Sequence, residues 1–337
     1  MCIRDRGWGP GDFRAAGREL NPAGPNYSAL KAQPPARSMS NNDYARNFIE
    51  GFLAARPSPE TPFCFWLGTT EPHRAYEEGS GVRAGKKVAD VELPAFYPDD
   101  DVIRSDMLDY AVEVEHYDTH VGRVIEHLDS LGELDNTIVV MTSDHGMPFP
   151  RVKGQIYEYG YHLPLAIRWG AHVKAARTVD DFVNVRDFAP TFLAAAGAPI
   201  HEQITGASVL DLLRSEDSGV VAPDTRDFML IGKERHDMGR PHDWGYPVRA
   251  IRTRQFLYVL NHEPDRWPVG NPETEYRNCD ASPTKSLLTD RSDRWYELNF
   301  GKRPAEELYR ILEDPDCVEN VAPIPRYAAD LQRLRAK

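Results

Sequence analysis

The chain has 337 residues, room for one large α/β domain and a smaller one, and more than a single core of ordinary size needs. Hydrophobic residues make up 41% and charged residues 27%, the balance of a globular protein. A net charge of −12 argues against a nucleic-acid partner, because phosphate backbones are met by concentrated positive surface; an anionic substrate would need a local cluster of Lys, Arg and His.

In chain order, residues 1–6 form a charged hexapeptide with no apolar segment and read as non-native, so localisation is not legible there. Residues 7–40 are rich in Gly, Pro, Asn and Ala and read as loop. Asn41 or Asn42 is placed to cap a helix to about Ala55, with Phe48, Ile49, Phe52 and Leu53 on one face. Phe63–Thr69 has the pattern of a strand buried on both faces. Residues 71–101 read as a long surface loop. Ser105 is placed to cap a strong amphipathic helix that Gly132 ends, and a strand follows over Thr137–Thr142. Helix, short loop and apolar strand together predict a parallel sheet. Leu163–Trp169 reads as a further strand, and Asp187 as the cap of a helix through Ala196. Residues 215–226 have linker composition. Beyond them, Phe228–Ile231 and Val248–Leu260 read as antiparallel strands, with a final helix from about Pro325. No apolar run approaches the roughly 20 residues of a membrane span. Cys2, Cys64, Cys279 and Cys317 show no metal-finger spacing and read as free or partly buried thiols, with one or two disulfides the alternative.

Ligands of open parallel sheets collect at the carboxyl ends of strands. Two polar clusters sit at such ends: Thr69-Thr-Glu-Pro-His-Arg74 and Thr142-Ser-Asp-His-Gly146. Asp144 and His145 on a tight turn can both reach one metal ion, or can form a hydrogen-bonded turn with no ligand.

The longer stretch Ser143-Asp-His-Gly-Met-Pro-Phe-Pro-Arg-Val-Lys153, running on through Leu163–Trp169, resembles the second signature block of type I sulfatases of the alkaline phosphatase superfamily. The heparan N-sulfatase branch is the most similar. Glu71-Pro-His-Arg74 and Lys302-Arg-Pro-Ala-Glu-Glu-Leu-Tyr309 followed by Asp314-Pro match in the family's order, and the likeness runs from Gly7 onward. The resemblance implies that Asp144 and His145 are two ligands of a single divalent cation, usually calcium. It implies that Lys153 contacts the sulfate group and that His73 lies near the sulfate and the leaving group. Cation, Lys and His suit a sulfuryl group whose oxygens carry negative charge. Many members carry Asn where His145 stands, and calcium favours oxygen, so the metal's identity stays open. His145 could instead donate a hydrogen bond to sulfate.

The family's formylglycine nucleophile arises from a Cys/Ser-x-Pro-x-Arg motif, and none of the four cysteines or the Ser-Pro pairs at Ser58 and Ser282 has that register. The paired aspartates that precede the motif have no match either. Gly7–Asp12 resembles the segment after a sulfate-binding lysine, whose place Arg6 occupies. The resemblance therefore implies an N-terminally truncated sulfatase, expected to be inactive alone and to expose an apolar strand edge.

Weaker candidates are Arg235 and His236 as sugar contacts, against an exposed loop of solvated charges. Arg74 is read equally as a substrate-anion contact or as the partner of a local acid such as Glu71. His116, His120 and His127 read as packing or surface residues.

The expected architecture is α/β: an alkaline-phosphatase-like, mostly parallel sheet flanked by helices over residues 7–214, a linker at 215–226, and a C-terminal α+β subdomain with an antiparallel sheet over 227–337. The expected activity is hydrolysis of a sulfate ester or sulfamate on a carbohydrate. A phosphoester or phosphonate hydrolase and a non-catalytic glycan-binding protein are the alternatives. The resemblance favours a periplasmic or extracellular location; oligomeric state is not legible.

Overall fold

The structure is a computed structural model that describes residues 13–15, 17–19, 21, 24–236 and 240–337. The readings of residues 1–6 and of Gly7–Asp12 lie outside the described residues. The main elements, in chain order, are α1 (Asp101–Ser130), β1 (Val139–Thr142), β2 (Leu165–Arg168), α2 (Phe188–Ala195), β3 (Phe228–Lys233), β4 (Val248–Thr253), β5 (Phe256–Asn261), α3 (Pro283–Thr289), α4 (Arg294–Asn299), β6 (Glu306–Arg310) and α5 (Ala328–Arg335). They fall into two compact units. The first comprises Met1–Gly132, Met147–Pro150 and Cys279–Asn299; the second comprises Glu133–Gly146, Arg151–Asn278 and Phe300–Lys337. The units thus divide near Gly132, and the 215–226 stretch lies inside the second.

In the first unit α1 dominates. Asp100, not Ser105, caps it by accepting from the Val102 amide at 2.8 Å. Its buried stripe mixes Ile103, Leu108, Val112 and Leu128 with the acids Asp106, Asp109 and Glu113. Asp109 accepts from the Gly79 and Gly81 amides at 2.9 and 2.8 Å and so holds a one-turn helix, Ser80–Arg83, on α1. Gly81 is required there: a Cβ would stand 2.5 Å from the Leu108 carbonyl carbon. The helix expected over 41–55 forms from 44 to 55, capped by Asp43, but passes into a π turn over Asn47–Phe52.

The strand expected at Phe63–Thr69 does not form. Residues 62–69 have no regular secondary structure and no strand partner among the described residues, and Trp66 is 75% exposed. Phe63 and Phe65 turn inward onto Phe48 and Phe52.

The named sheets of the second unit are antiparallel, so the expected parallel sheet is not found among the described residues. β1 pairs with β2 from Val139↔Arg168 to Thr142↔Leu165. The connection over 143–164 is turns and a four-residue helix, Glu158–Tyr161, so no long helix carries the chain across a sheet face between them. The other sheet has the order β3-β4-β5-β6, all antiparallel, and bears out the antiparallel reading of this region. Its central strands are buried on both faces. Val248, Ala250, Leu257 and Val259 pack with Ile156, Tyr157 and Tyr246, whereas Ile251, Phe256 and Tyr258 pack with Leu308, Val321 and Leu334. α2 starts one residue after Asp187, and Asn184 forms the capping box.

Candidate active site

The two polar clusters differ in how their side chains are used. In the first unit the 69–74 turn is tied down by its own residues. Glu71, buried, accepts from the Ser40 amide at 2.6 Å and the Tyr44 hydroxyl at 2.8 Å, and Tyr44 Oη accepts in turn from the Thr70 amide. The Arg74 guanidinium is 5% exposed. It lies between the Tyr76 and Phe149 rings, 4.4 and 4.3 Å from their centroids, and binds both Asp106 oxygens at 2.7 and 2.8 Å. Its Nε donates to the Pro148 carbonyl, and Asp106 also accepts from Thr284 Oγ1 at 2.5 Å. The local acid beside Arg74 is therefore Asp106 and not Glu71. The difference arises because Glu71 faces Ser40 and Tyr44, while α1 carries Asp106 in its buried register.

His73 is half-buried. Its Nδ1 donates to the Arg74 carbonyl, which leaves the lone pair of the neutral ring at Nε2. Nearby, burial pushes Glu113 up to about 7; the Glu71 charge adds to this, while the Ser38 hydroxyl and His73 oppose it. His120 is buried, accepts from the Ala45 amide, and is pushed down to about 4 by burial and by His116. These are packing roles, as the sequence reading expects for the helix histidines. The sequence reading did not single out Asp106 and Glu113, which support this turn. The signal was present: acids at 106, 109 and 113 fall on the core stripe of an amphipathic helix.

In the second unit the turn after β1 is stiff in its backbone and open in its side chains. Ser143 Oγ donates to the His145 carbonyl at 2.6 Å. A Cβ on Gly146 would sit 1.8 Å from the Tyr159 carbonyl oxygen, so only glycine permits this approach. His145 Nδ1 donates to the Gly146 carbonyl at 2.7 Å; in the neutral ring the lone pair is then at Nε2, 3.5 Å from Asp144 Oδ2. Asp144 is 63% exposed. One carboxylate and one imidazole nitrogen thus share a space at the end of β1. Among the described residues no group of three or more His, Cys, Asp or Glu side chains gathers to hold a metal, so the pair is at most part of a coordination shell.

Lys153, buried, follows on the same connection, and Gly154 beside it adopts φ +71°. His236 packs on Gly154, where a Cβ would stand 2.6 Å from the imidazole. Arg235 pairs with Asp243 at the surface and both remain about half exposed. The structure therefore brings His236 to the Lys153 turn and leaves Arg235 in its own surface ion pair. Among the described residues Cys64, Cys279 and Cys317 form no disulfide. Among the described residues no helix is long and apolar enough to cross a membrane.

A sequence model of the family described as Sulfatase matches residues 14–198, more than half of the chain. The chain is 29% identical over 267 residues to N-sulphoglucosamine sulphohydrolase of Homo sapiens, covering 73% of this chain and 49% of that protein. It is 40% identical over 227 residues to an N-acetylglucosamine-6-O-sulfatase of Bacteroides thetaiotaomicron, covering 64% and 38%. It is 27% identical over 248 residues to an ulvan-active sulfatase of Formosa agariphila, covering 72% and 39%. The chain thus spans less than half the length of these relatives. Among solved structures, a sulfatase of glycosaminoglycan metabolism from Bacteroides thetaiotaomicron aligns with TM-score 0.58 and 16% identity over 86% of this chain and 55% of that one. A phosphonate monoester hydrolase from Silicibacter pomeroyi aligns with TM-score 0.50 and 23% identity over 76% and 45%. At these identities the structures speak for the fold alone, while the matched sequence spans the Asp144–Lys153 turn. This chain belongs to the sulfatase family.

Proposed function

We propose that this chain is part of a hydrolase that removes sulfate, as ester or sulfamate, from a carbohydrate. The observation that carries this reading is the pairing of Asp144 Oδ2 with His145 Nε2 at 3.5 Å on a rigid turn inside the matched sulfatase segment. A divalent cation, when bound, would neutralise charge on the sulfuryl oxygens. Asp144 and His145 would hold it in part, with calcium as the family habit and the imidazole favouring a borderline metal such as zinc. Lys153 would bind a sulfuryl oxygen as a point charge. His73 keeps the role the resemblance implies, near the sulfate and leaving group, with Nε2 as its available nitrogen. Arg235 and His236 are sugar-contact candidates; Arg74, held by Asp106, serves the fold first. The sulfated sugars in the relatives' names support a carbohydrate substrate, and a relative named as an extracellular sulfatase supports an extracytoplasmic setting.

The nucleophile is proposed to lie on a Cys/Ser-x-Pro-x-Arg segment that this sequence does not contain. The test is sulfate release from N-sulfoglucosamine and N-acetylglucosamine 6-sulfate by a protein joining such a segment to this chain, with a phosphonate monoester as control. Release that Asp144→Asn and Lys153→Ala each cut by about a hundredfold or more supports the reading. Preferred turnover of the phosphonate would favour the second reading, which has the phosphonate hydrolase fold in its support. Binding of sulfated sugar with no turnover would favour the glycan-binding one.

A further inference from the structure

Lys233 ends β3 half-buried as a residue with its ammonium withdrawn from water, yet among the described residues no carboxylate lies within ion-pair distance of it. Burial, with Arg240 and Arg303 nearby, pushes it down to about 7. Glu307 lines the same small cavity of about 10 Å³, but its oxygens already accept from Tyr157 at 2.9 Å, Tyr309 at 2.5 Å and Asn261 at 2.7 Å. Among the described residues, the Tyr246 hydroxyl and the Gln155 side-chain nitrogen border that cavity without a hydrogen-bond partner, and Lys233 lies 5.6 Å from the Tyr246 ring centroid. A buried cation in such surroundings costs the fold more than a methionine would.

What the ammonium does hold is the Gly154 carbonyl, to which Lys233 Nζ donates at 2.5 Å. Gly154 is also pressed by His236 and turns through a left-handed conformation directly after Lys153. β3 and the residues after it therefore grip the Lys153–Gly154 turn from two sides. We propose that Lys233 is a positioning residue for Lys153: its ammonium fixes the Gly154 carbonyl and so sets where the Lys153 side chain stands. The proposal rests on the reading of Lys153 as the sulfate contact, and it assigns the expense of a buried, acid-free lysine to the site instead of to stability.

The test compares the 337-residue chain with Lys233→Met, Lys233→Arg and Lys153→Ala. Amide hydrogen exchange over 153–157 and over Val248–Asn261, global unfolding, and titration with inorganic sulfate are measured at pH 6. In Lys233→Met, exchange over 153–157 should rise about tenfold or more, as expected for loss of a charged hydrogen bond. Exchange in β4 and β5 and the global midpoint should not fall below the parent's protection, and sulfate affinity should drop about tenfold. Lys233→Arg, which can still donate to the carbonyl, should recover most of both local losses. Unchanged exchange over 153–157 in Lys233→Met overturns the proposal, and so does a loss of protection spread equally over β4 and β5, which would mark Lys233 as ordinary packing. If Lys153→Ala binds sulfate like the parent, the reading of Lys153 fails, and the exchange data still decide whether Lys233 holds the turn.

Discussion

The turn at 69–74 and the turn at 142–154 carry similar residues, a carboxylate, a histidine and a cation within a few positions, and use them in opposite ways. In the first, Glu71 and Arg74 are consumed inside the fold, by Ser40 and Tyr44 and by Asp106. In the second, a close glycine approach and the Ser143 hydroxyl fix the chain, His145 Nδ1 donates to the Gly146 carbonyl, and the exposed Asp144 carboxylate lies 3.5 Å from His145 Nε2. A charged residue that the backbone does not need is available for a ligand. One that bridges elements is not, however suggestive its neighbours.

This contrast can be broken by mutation. The largest effect is expected for Arg74→Met, which strands Asp106 among buried groups; urea unfolding should show a loss of about 3–5 kcal/mol from the first unit. A loss under about 1 kcal/mol would mean that the pair is not structural. Glu71→Gln should cost about 1–3 kcal/mol in the same experiment, because two donors lose a charged acceptor.

Glu113 sharpens the comparison through pH. Its carboxyl is raised from 4.5 to about 7 in the folded chain, so the folded state binds the proton more tightly than the unfolded one. The resulting stability is full below about 4.5 and is lost as pH rises through about 7. His120, lowered to about 4, acts in the opposite direction over the overlapping range. The measurement is therefore the difference between parent and Glu113→Gln from pH 4 to 8: the variant should lack the fall on the alkaline side, and parallel curves would refute the assignment. The smallest effect on stability is expected at Asp144→Asn, within about 0.5 kcal/mol, since the side chain is exposed. A larger loss would show that this turn, like the first, spends its charges on the fold.

Much of the secondary structure was legible because it depends on local pattern. The long helix over Asp101–Ser130, the antiparallel strands after 227 and the C-terminal helix follow from apolar spacing and caps. The boundary of α1 moved by one helical turn because Asp100 competes with Ser105 as the cap. Phe63–Thr69 and Phe256–Asn261 show where pattern stops. Both are apolar and aromatic runs, but β5 has β4 and β6 on its two edges, while 62–69 has no strand beside it among the described residues. An apolar run predicts an extended, buried chain; hydrogen-bonding it into a sheet takes a partner that the run itself does not name. β6 likewise overlaps Lys302–Tyr309, read as a family pattern and not as a strand, because its partner β5 lies more than forty residues upstream.

By itself, then, the sequence determined the family, the order of its signature blocks, the candidate residues Asp144, His145, Lys153 and His73, and most helices, since each of these is written in residues close together in the chain. The tertiary structure alone decided which charges are spent on the fold. Asp106 reaches Arg74 across 32 positions and Lys233 reaches Gly154 across 79, distances over which spacing carries no signal. A buried charge must find its partner wherever packing brings one, and packing is a property of the folded chain as a whole.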